Sequence, residues 1–239
     1  MWEFLKNILI EGSEGVLVLK LYRLYVVLFV SVIMMTGCMN SGSPEERVVK
    51  ILDKTVEKES NFTEKQEPLN DLEKEEKEIY EKIIKLGMKE YDQIVELSDE
   101  ALKNIEKREE LIEKEKESMD ASKKQFDKME GQTDKIEDQK VKKEAVKMEK
   151  TMNERYEKYE DVYKTYQQSL ANDKQLYELF KKEDLKMDEL QSQIDKINTT
   201  YEKVVKANEK FNAVTTKYNQ EKDSFYETAG IKKTDSDKD

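Results

Sequence analysis

Along residues 69–225 apolar side chains return every three to four positions, and several rows keep a strict step of seven. Ile84, Tyr91, Ile105, Ile112, Met119 and Phe126 share one such grid, with polar Ser98 as its one exception. Ala145, Met152, Tyr159, Tyr166, Phe180, Met187, Ile194 and Tyr201 share another, interrupted by Asp173, and Ile197, Val204, Phe211, Tyr218 and Phe225 form its companion near the end. A seven-residue apolar repeat predicts helices that pack knobs into holes. An earlier helix is predicted at "PEERVVKILDKTVEKES", with Val48, Ile51, Leu52 and Val56 on one face. Ser43 can cap it, Pro44 suits its first position, and Glu46 completes a capping box. Ser60 to Pro68 should interrupt it, because Pro68 lacks an amide hydrogen and disfavours helix at Glu67.

Further breaks are expected at Leu97-Ser98-Asp99, at Gly131 to Asp134, and at Ala171-Asn172-Asp173, where Asn172 and Gln175 could form a second capping box. The last helix should stop at Ala229-Gly230-Ile231, with Gly230 left-handed and Ile231 folding back onto Tyr226. A helix from 174 to 229 would be about 84 Å long at 1.5 Å per residue. The expected fold class is therefore all-α: an elongated antiparallel up-and-down bundle of three to four long helices with coiled-coil-like packing, over residues 44–231. Residues 232–239, "KKTDSDKD", read as a disordered tail.

Composition supports helix over disorder or sheet. The chain is 41% charged, with seven glycines and two prolines in 239 residues, a mixture typical of long helices when it carries a heptad period. The net charge is −11, and it stays −11 when residues 1–37 are removed, since three basic and three acidic residues leave together. Such a surface does not draw nucleic acid or anionic lipid by bulk electrostatics, so nucleic acid is excluded as a partner.

Leu24 to Met35, "LYVVLFVSVIMM", is too short to span a bilayer, which takes roughly 20 apolar residues. Preceded by Lys20 and Arg23 and followed by small residues, it reads as an export signal. It ends in Met35-Thr36-Gly37-Cys38, which resembles a bacterial lipobox. Gly37 lets the backbone enter the signal protease, and Met35 departs from the usual Leu. Cys38 has no second cysteine to pair with, so it is read as the lipidation site, and two acyl chains on it would satisfy the two-signal requirement for stable anchoring. Glu3, Glu11 and Glu14 do not suit the basic start of a signal. The expected true start lies near Val18 or Leu19, which makes 1–37 a mis-extended N-terminus plus signal peptide and 38–43 a lipidated tether.

Candidate chemistry is sparse. The chain has no histidine and one cysteine, so the usual bases, nucleophiles and zinc ligands are missing once Cys38 is acylated. No cofactor, metal site or catalytic residue is expected, and the protein is not read as an enzyme. One local pattern carries two readings. Tyr156, Tyr159, Tyr163 and Tyr166 are spaced 3, 4 and 3 and so share a helix face. They form either a core stripe with hydroxyls at the rim or an exposed stacking platform for wall glycans, and ring exposure separates the two.

The stretches "SPEERVVKILDK" and "NFTEKQEPLNDLEKEEKEIYEKIIKLG" carry a resemblance. With Phe62, Gln66, Pro68-Leu69, Leu72-Glu73, Tyr80 and Leu86-Gly87, the chain from Cys38 onward resembles the YkyA-like family of Gram-positive lipoproteins, named for cell-wall binding. The resemblance implies an extracytoplasmic helical bundle and supplies no catalytic residues. The expected role is that of a membrane-anchored helical interaction or spacer module, on the outer face of the cytoplasmic membrane and facing the wall. Its partners would be the membrane, through Cys38, and an envelope protein or wall glycan. The alternative is a glycan-binding module that ties wall to membrane through the tyrosine stripe.

Overall fold

The computed structural model describes residues 42–86 and 90–231; the signal segment, Cys38 and the tail from 232 lie outside them. Five α-helices follow in order: α1 (Pro44–Lys58), α2 (Ser60–Ile83), α3 (Tyr91–Phe126), α4 (Gln139–Phe180) and α5 (Met187–Ala229). No strand occurs among the described residues, and the fold class is the all-α bundle that the heptad rows predict. None of the described helices is long and apolar enough to cross a membrane.

The expected ends are built as the sequence indicates. The Ser43 hydroxyl accepts from the Glu46 amide at 3.2 Å, with Pro44 at the first turn. Gly230 adopts φ +66°, and the Ile231 amide donates to the Tyr226 carbonyl at 3.0 Å, which closes α5 in a Schellman motif. The reversal at Gly131 is real: Gly131 takes φ +67° between two 3₁₀ turns, Asp127–Met129 and Thr133–Lys135. Asp138 then caps α4 by accepting from the amides of Lys140 and Val141 at 2.7 and 3.1 Å. Those backbone donors hold its carboxyl below the usual carboxylate range.

Three expected breaks are not breaks. Ser98 lies inside α3, fully buried, and its hydroxyl donates to the Ile94 carbonyl at 2.7 Å. Asn172 and Asp173 lie inside α4. The reversal falls instead after Phe180, so residues 174–229 are not one helix. Asn172 and Gln175 form no cap there; Asn172 donates to the Thr200 hydroxyl at 2.8 Å and accepts from Gln193 at 2.7 Å. Pro68 sits within α2. It cannot donate to the carbonyl of Glu64, but it is exposed, and buried Phe62 and Leu69 on the same helix hold α2 in place on either side of the missing bond. The joint between α1 and α2 is a single residue, Glu59, at φ −87° and ψ −1°.

Packing divides the described chain into two compact units, each assembled from segments far apart in sequence. The first comprises Gln66–Glu113 and Val162–Asn208; the second comprises Lys114–Asp161 with the described residues up to Lys65 and from Glu209. Each therefore receives a segment of α3, of α4, of α5 and of the α1–α2 arm. Neighbours run antiparallel in both. In the first, Asn104 meets Glu75 and Tyr163 meets Glu113; in the second, Ser118 meets Phe62 and Ser122 meets Tyr156.

The interior proline gives a direct test of the α2 assignment. Pro68→Ala restores a helix hydrogen bond and removes a ring clash, so it should raise stability by about 1–3 kcal/mol. Urea unfolding of the detergent-solubilised full-length protein followed by circular dichroism measures it. A loss of stability would mean that α2 does not continue through residue 68.

Candidate functional site

The four tyrosines singled out by spacing all lie on α4, and three of their rings point into cores. Tyr156, Tyr159 and Tyr166 are 4%, 2% and 6% exposed, and only Tyr163 keeps part of its surface open. A glycan-stacking platform needs open ring faces, so the exposed-stripe reading is corrected to the core reading. Tyr159 packs edge-on against Phe62 at 5.7 Å between ring centroids and tilts on Phe211 at 5.9 Å. Tyr156 tilts on Phe126 at 6.0 Å. The Tyr163 hydroxyl donates to Glu113 at 2.6 Å and accepts from Gln167 at 2.7 Å. This is a rim position, with the hydroxyl turned outward and the ring against the bundle.

Around these rings each unit encloses a buried arginine. In the second unit Arg155, from α4, is 2% exposed. It makes a bidentate pair with Glu59, with both guanidinium nitrogens 2.8 Å from the carboxylate oxygens. Its Nε–H donates to the Thr215 hydroxyl at 3.1 Å, and the guanidinium carbon lies 5.0 Å from the Phe211 centroid. Ser122 donates to Glu59 at 2.7 Å, which leaves Tyr156 to donate to Ser122 at 2.7 Å. The same joint is gripped from α3, where the Ser118 hydroxyl donates to the Lys58 carbonyl at 2.5 Å and accepts from the Phe62 amide at 3.3 Å. One carbonyl and one amide left unpaired beside the helix break are thereby satisfied.

In the first unit Arg108, from α3, is fully buried. It hydrogen-bonds Glu76 through Nη1 and donates from Nε to the Tyr166 hydroxyl at 3.0 Å, with the Tyr166 ring 5.4 Å away. The Tyr166 hydroxyl in turn donates a hydrogen bond to Glu73 at 2.8 Å. Asp173 accepts from Tyr201 at 2.9 Å and lies 3.8 Å from Arg108. Burial pushes the tyrosine hydroxyls of both cores above their ordinary range, and Tyr80, beside the first core, up to about 12.

The two arginines were not among the residues that sequence spacing singled out, although each lies in a second heptad row beside the one traced. On α3, Ile94, Ala101, Arg108, Glu115 and Ser122, with Met129 in the 3₁₀ turn that follows, step by seven and are all buried. On α4, Val141, Met148, Arg155, Val162, Ser169 and Leu176 do the same. Following both seams of each helix, not its apolar one alone, would have placed the charges inside.

A shallow groove of about 740 Å³ lies between α4 and α5 in the first unit, with Lys174, Glu178, Lys182, Glu189 and Lys196 among its lining residues. Lys182 and Glu189 lie 3.6 Å apart across it. Ala171 and Leu179 line it as well, between these long charged side chains.

Two closed helical cores, each organised by an arginine, define an all-α bundle protein. The chain belongs to the YkyA family, described as "putative cell-wall binding lipoprotein", whose family model matches residues 43–228. It is 37% identical over 200 residues to the uncharacterized lipoprotein YkyA of Bacillus subtilis (strain 168), covering 84% of this chain and 89% of that one. Its fold is similar to the crystal structure of a conserved protein of unknown function from Staphylococcus aureus, with a TM-score of 0.58 at 20% identity, over 79% of this chain and 98% of the other.

Two substitutions distinguish core from surface roles. Tyr159→Ala should cost about 3–5 kcal/mol, as expected for a large aromatic removed from a packed core, while Tyr163→Ala should cost about 1 kcal/mol or less. Equal costs by urea unfolding would contradict the burial described. Arg155→Met should cost about 3–5 kcal/mol because Glu59 is left buried without its partner, and adding Glu59→Leu should recover most of the loss. Simple addition of the two single effects would show that the pair does not act as one.

Proposed function

We propose that this protein is an envelope lipoprotein held by a diacylated Cys38 on the outer face of the cytoplasmic membrane, where its helices serve as a non-catalytic interaction or spacer module facing the wall. The observation that carries the reading is the placement of a lipobox directly before the family's helical body. Ser43, the cap of α1, follows Cys38 by only five positions, so the lipid would sit within a few residues of an ordered helix. Two acyl chains give stable membrane residence where one chain does not.

The side chains that could serve chemistry support the non-catalytic part of the reading. Buried Glu59, Glu76 and Asp173 face arginines inside cores, and the carboxylates on the surface are interleaved with lysines, as in Lys74–Asp71, Lys77–Glu81 and Lys123–Asp127. Catalytic acids and bases need a cleft that both perturbs them and admits substrate. Contact with wall glycan or with an envelope protein then falls to exposed helix faces, since three rings of the α4 tyrosine stripe are taken up inside.

The test is Cys38→Ser. The variant should lose metabolic labelling by a fatty-acid analogue and either remain as an unprocessed precursor or be released to the medium. Unchanged labelling would sink the anchor, and with it the assignment to the membrane surface.

A further inference from the structure

The two buried arginines differ in how their charge is balanced. Arg155 faces one carboxylate, Glu59, in a bidentate pair. Arg108 faces three: Glu76 bonded to it, Glu73 at 3.7 Å and Asp173 at 3.8 Å. Glu73 is 31% exposed and keeps its water, but Glu76 and Asp173 have side chains only 11% and 4% exposed. If both were ionised, one guanidinium would leave an uncompensated anion in a layer closed to solvent. A buried carboxylate in that position relieves the cost by taking up a proton.

We propose that Glu76 on α2 and Asp173 on α4 hold a single proton between them across Arg108, and that its loss as pH rises drives α2 away from α4 within this unit. The groups facing the pair come from every packed element: Glu73 and Glu76 from α2, Arg108 from α3, Tyr166, Asp173 and Tyr177 from α4, and Tyr201 from α5. Arg108 stays charged throughout, and burial keeps the protons of Tyr166, Tyr177 and Tyr201 in place well beyond neutral pH. The two buried carboxyls are left as the groups able to titrate. Burial, and then the charge of Glu76, holds Asp173 well above the ordinary carboxylate range. Burial also raises Glu76, against the opposing pull of Arg108 and a hydrogen bond from Tyr177.

The sign follows from linkage. Unfolded, both groups titrate near pH 4. Above that range the folded unit binds more protons than the unfolded chain, so this contribution is complete at low pH and is lost as pH rises through the raised folded value. Across that window the constant for opening α2 should grow about tenfold per pH unit while one proton is being lost. Arg155, by contrast, is held one-to-one by Glu59.

Peptide-resolved hydrogen exchange on the detergent-solubilised full-length protein, corrected for the intrinsic rate, tests this between about pH 5 and about pH 8. The α2 peptide from residue 66 to 83 should lose protection as pH rises, whereas the peptide from 44 to 58 should not. Asp173→Asn retains an acceptor for Tyr201 and removes the second charge; it should flatten the pH response of α2 and keep it protected at the alkaline end. Infrared difference spectra of the wild type should show a protonated carboxyl C=O band at about pH 5 that disappears on alkalinisation. Absence of that band, a wild-type α2 that does not respond to pH, or an Asp173→Asn variant with the wild-type slope would each overturn the proposal. The infrared result stands even if the variant does not fold.

Discussion

A guanidinium cannot be buried without partners, and meeting that requirement for Arg155 organises the second unit. Its fork needs two coplanar acceptors, and Glu59 supplies both at 2.8 Å. Glu59 can do so because α1 and α2 part at that residue. A continuous helix would carry its backbone bonds straight through, but the break leaves carbonyls and amides near Lys58 and Phe62 that Ser118 then satisfies. The ion pair, the helix joint and the serine are one arrangement. Phe211 beneath the guanidinium and Thr215 beside it bring α5 into the same contact. Pairs of this kind add little net stability against an apolar substitute, but they are costly to break halfway.

The first unit meets the same requirement with a surplus of acid. Arg108 takes its ring from α4, through Tyr166, and its carboxylates from both α2 and α4. Burial of Tyr156 and Tyr166 thus has a chemical reason beyond apolar area. Their hydroxyls or ring faces complete the surroundings of charges that would otherwise be unsolvated. A stripe used in this way inside is not available for recognition outside, which shifts the search for a wall or protein contact to the charged helix faces.

Much of this architecture was legible in the chain because a seven-residue period has few structural solutions. The α1 cap at Ser43-Pro44 and the Schellman stop at Gly230 depend on local chemistry, and each appears where the residues indicate; at Gly131 the residues fit a kinked helix as well as a reversal, and the fold makes it a reversal. Two of the three misplaced breaks share one cause. Ser98 and Asp173 interrupt apolar rows, and polarity at such positions reads as a helix break. Both are buried in register and satisfied, Ser98 by its own helix and Asp173 by Tyr201. Pro68 misled for a different reason: packing of Phe62 and Leu69 outweighs a local penalty that is real. The true reversal at residues 181–186, "KKEDLK", contains neither glycine nor proline, so nothing local announces it. The candidate site was legible only as tyrosine spacing. The charges around it stayed hidden because Glu, Lys and Arg fill the exposed faces as well, and a single arginine in an inner row does not stand out by type.

The charged residues on the inner rows also bear on how the helices find their alignment. Apolar seams with a strict period are nearly degenerate under translation: slide one helix by seven residues and Leu, Ile, Val or Tyr again meets its like. Arg155, Glu59, Arg108 and Glu76 do not repeat in that way. A one-heptad slip of α4 against the α1–α2 arm would part Arg155 from Glu59 and leave two ions buried without partners, at several kcal/mol each. The polar positions act as index marks on an otherwise uniform ruler, and they make the native alignment distinguishable from its translated copies.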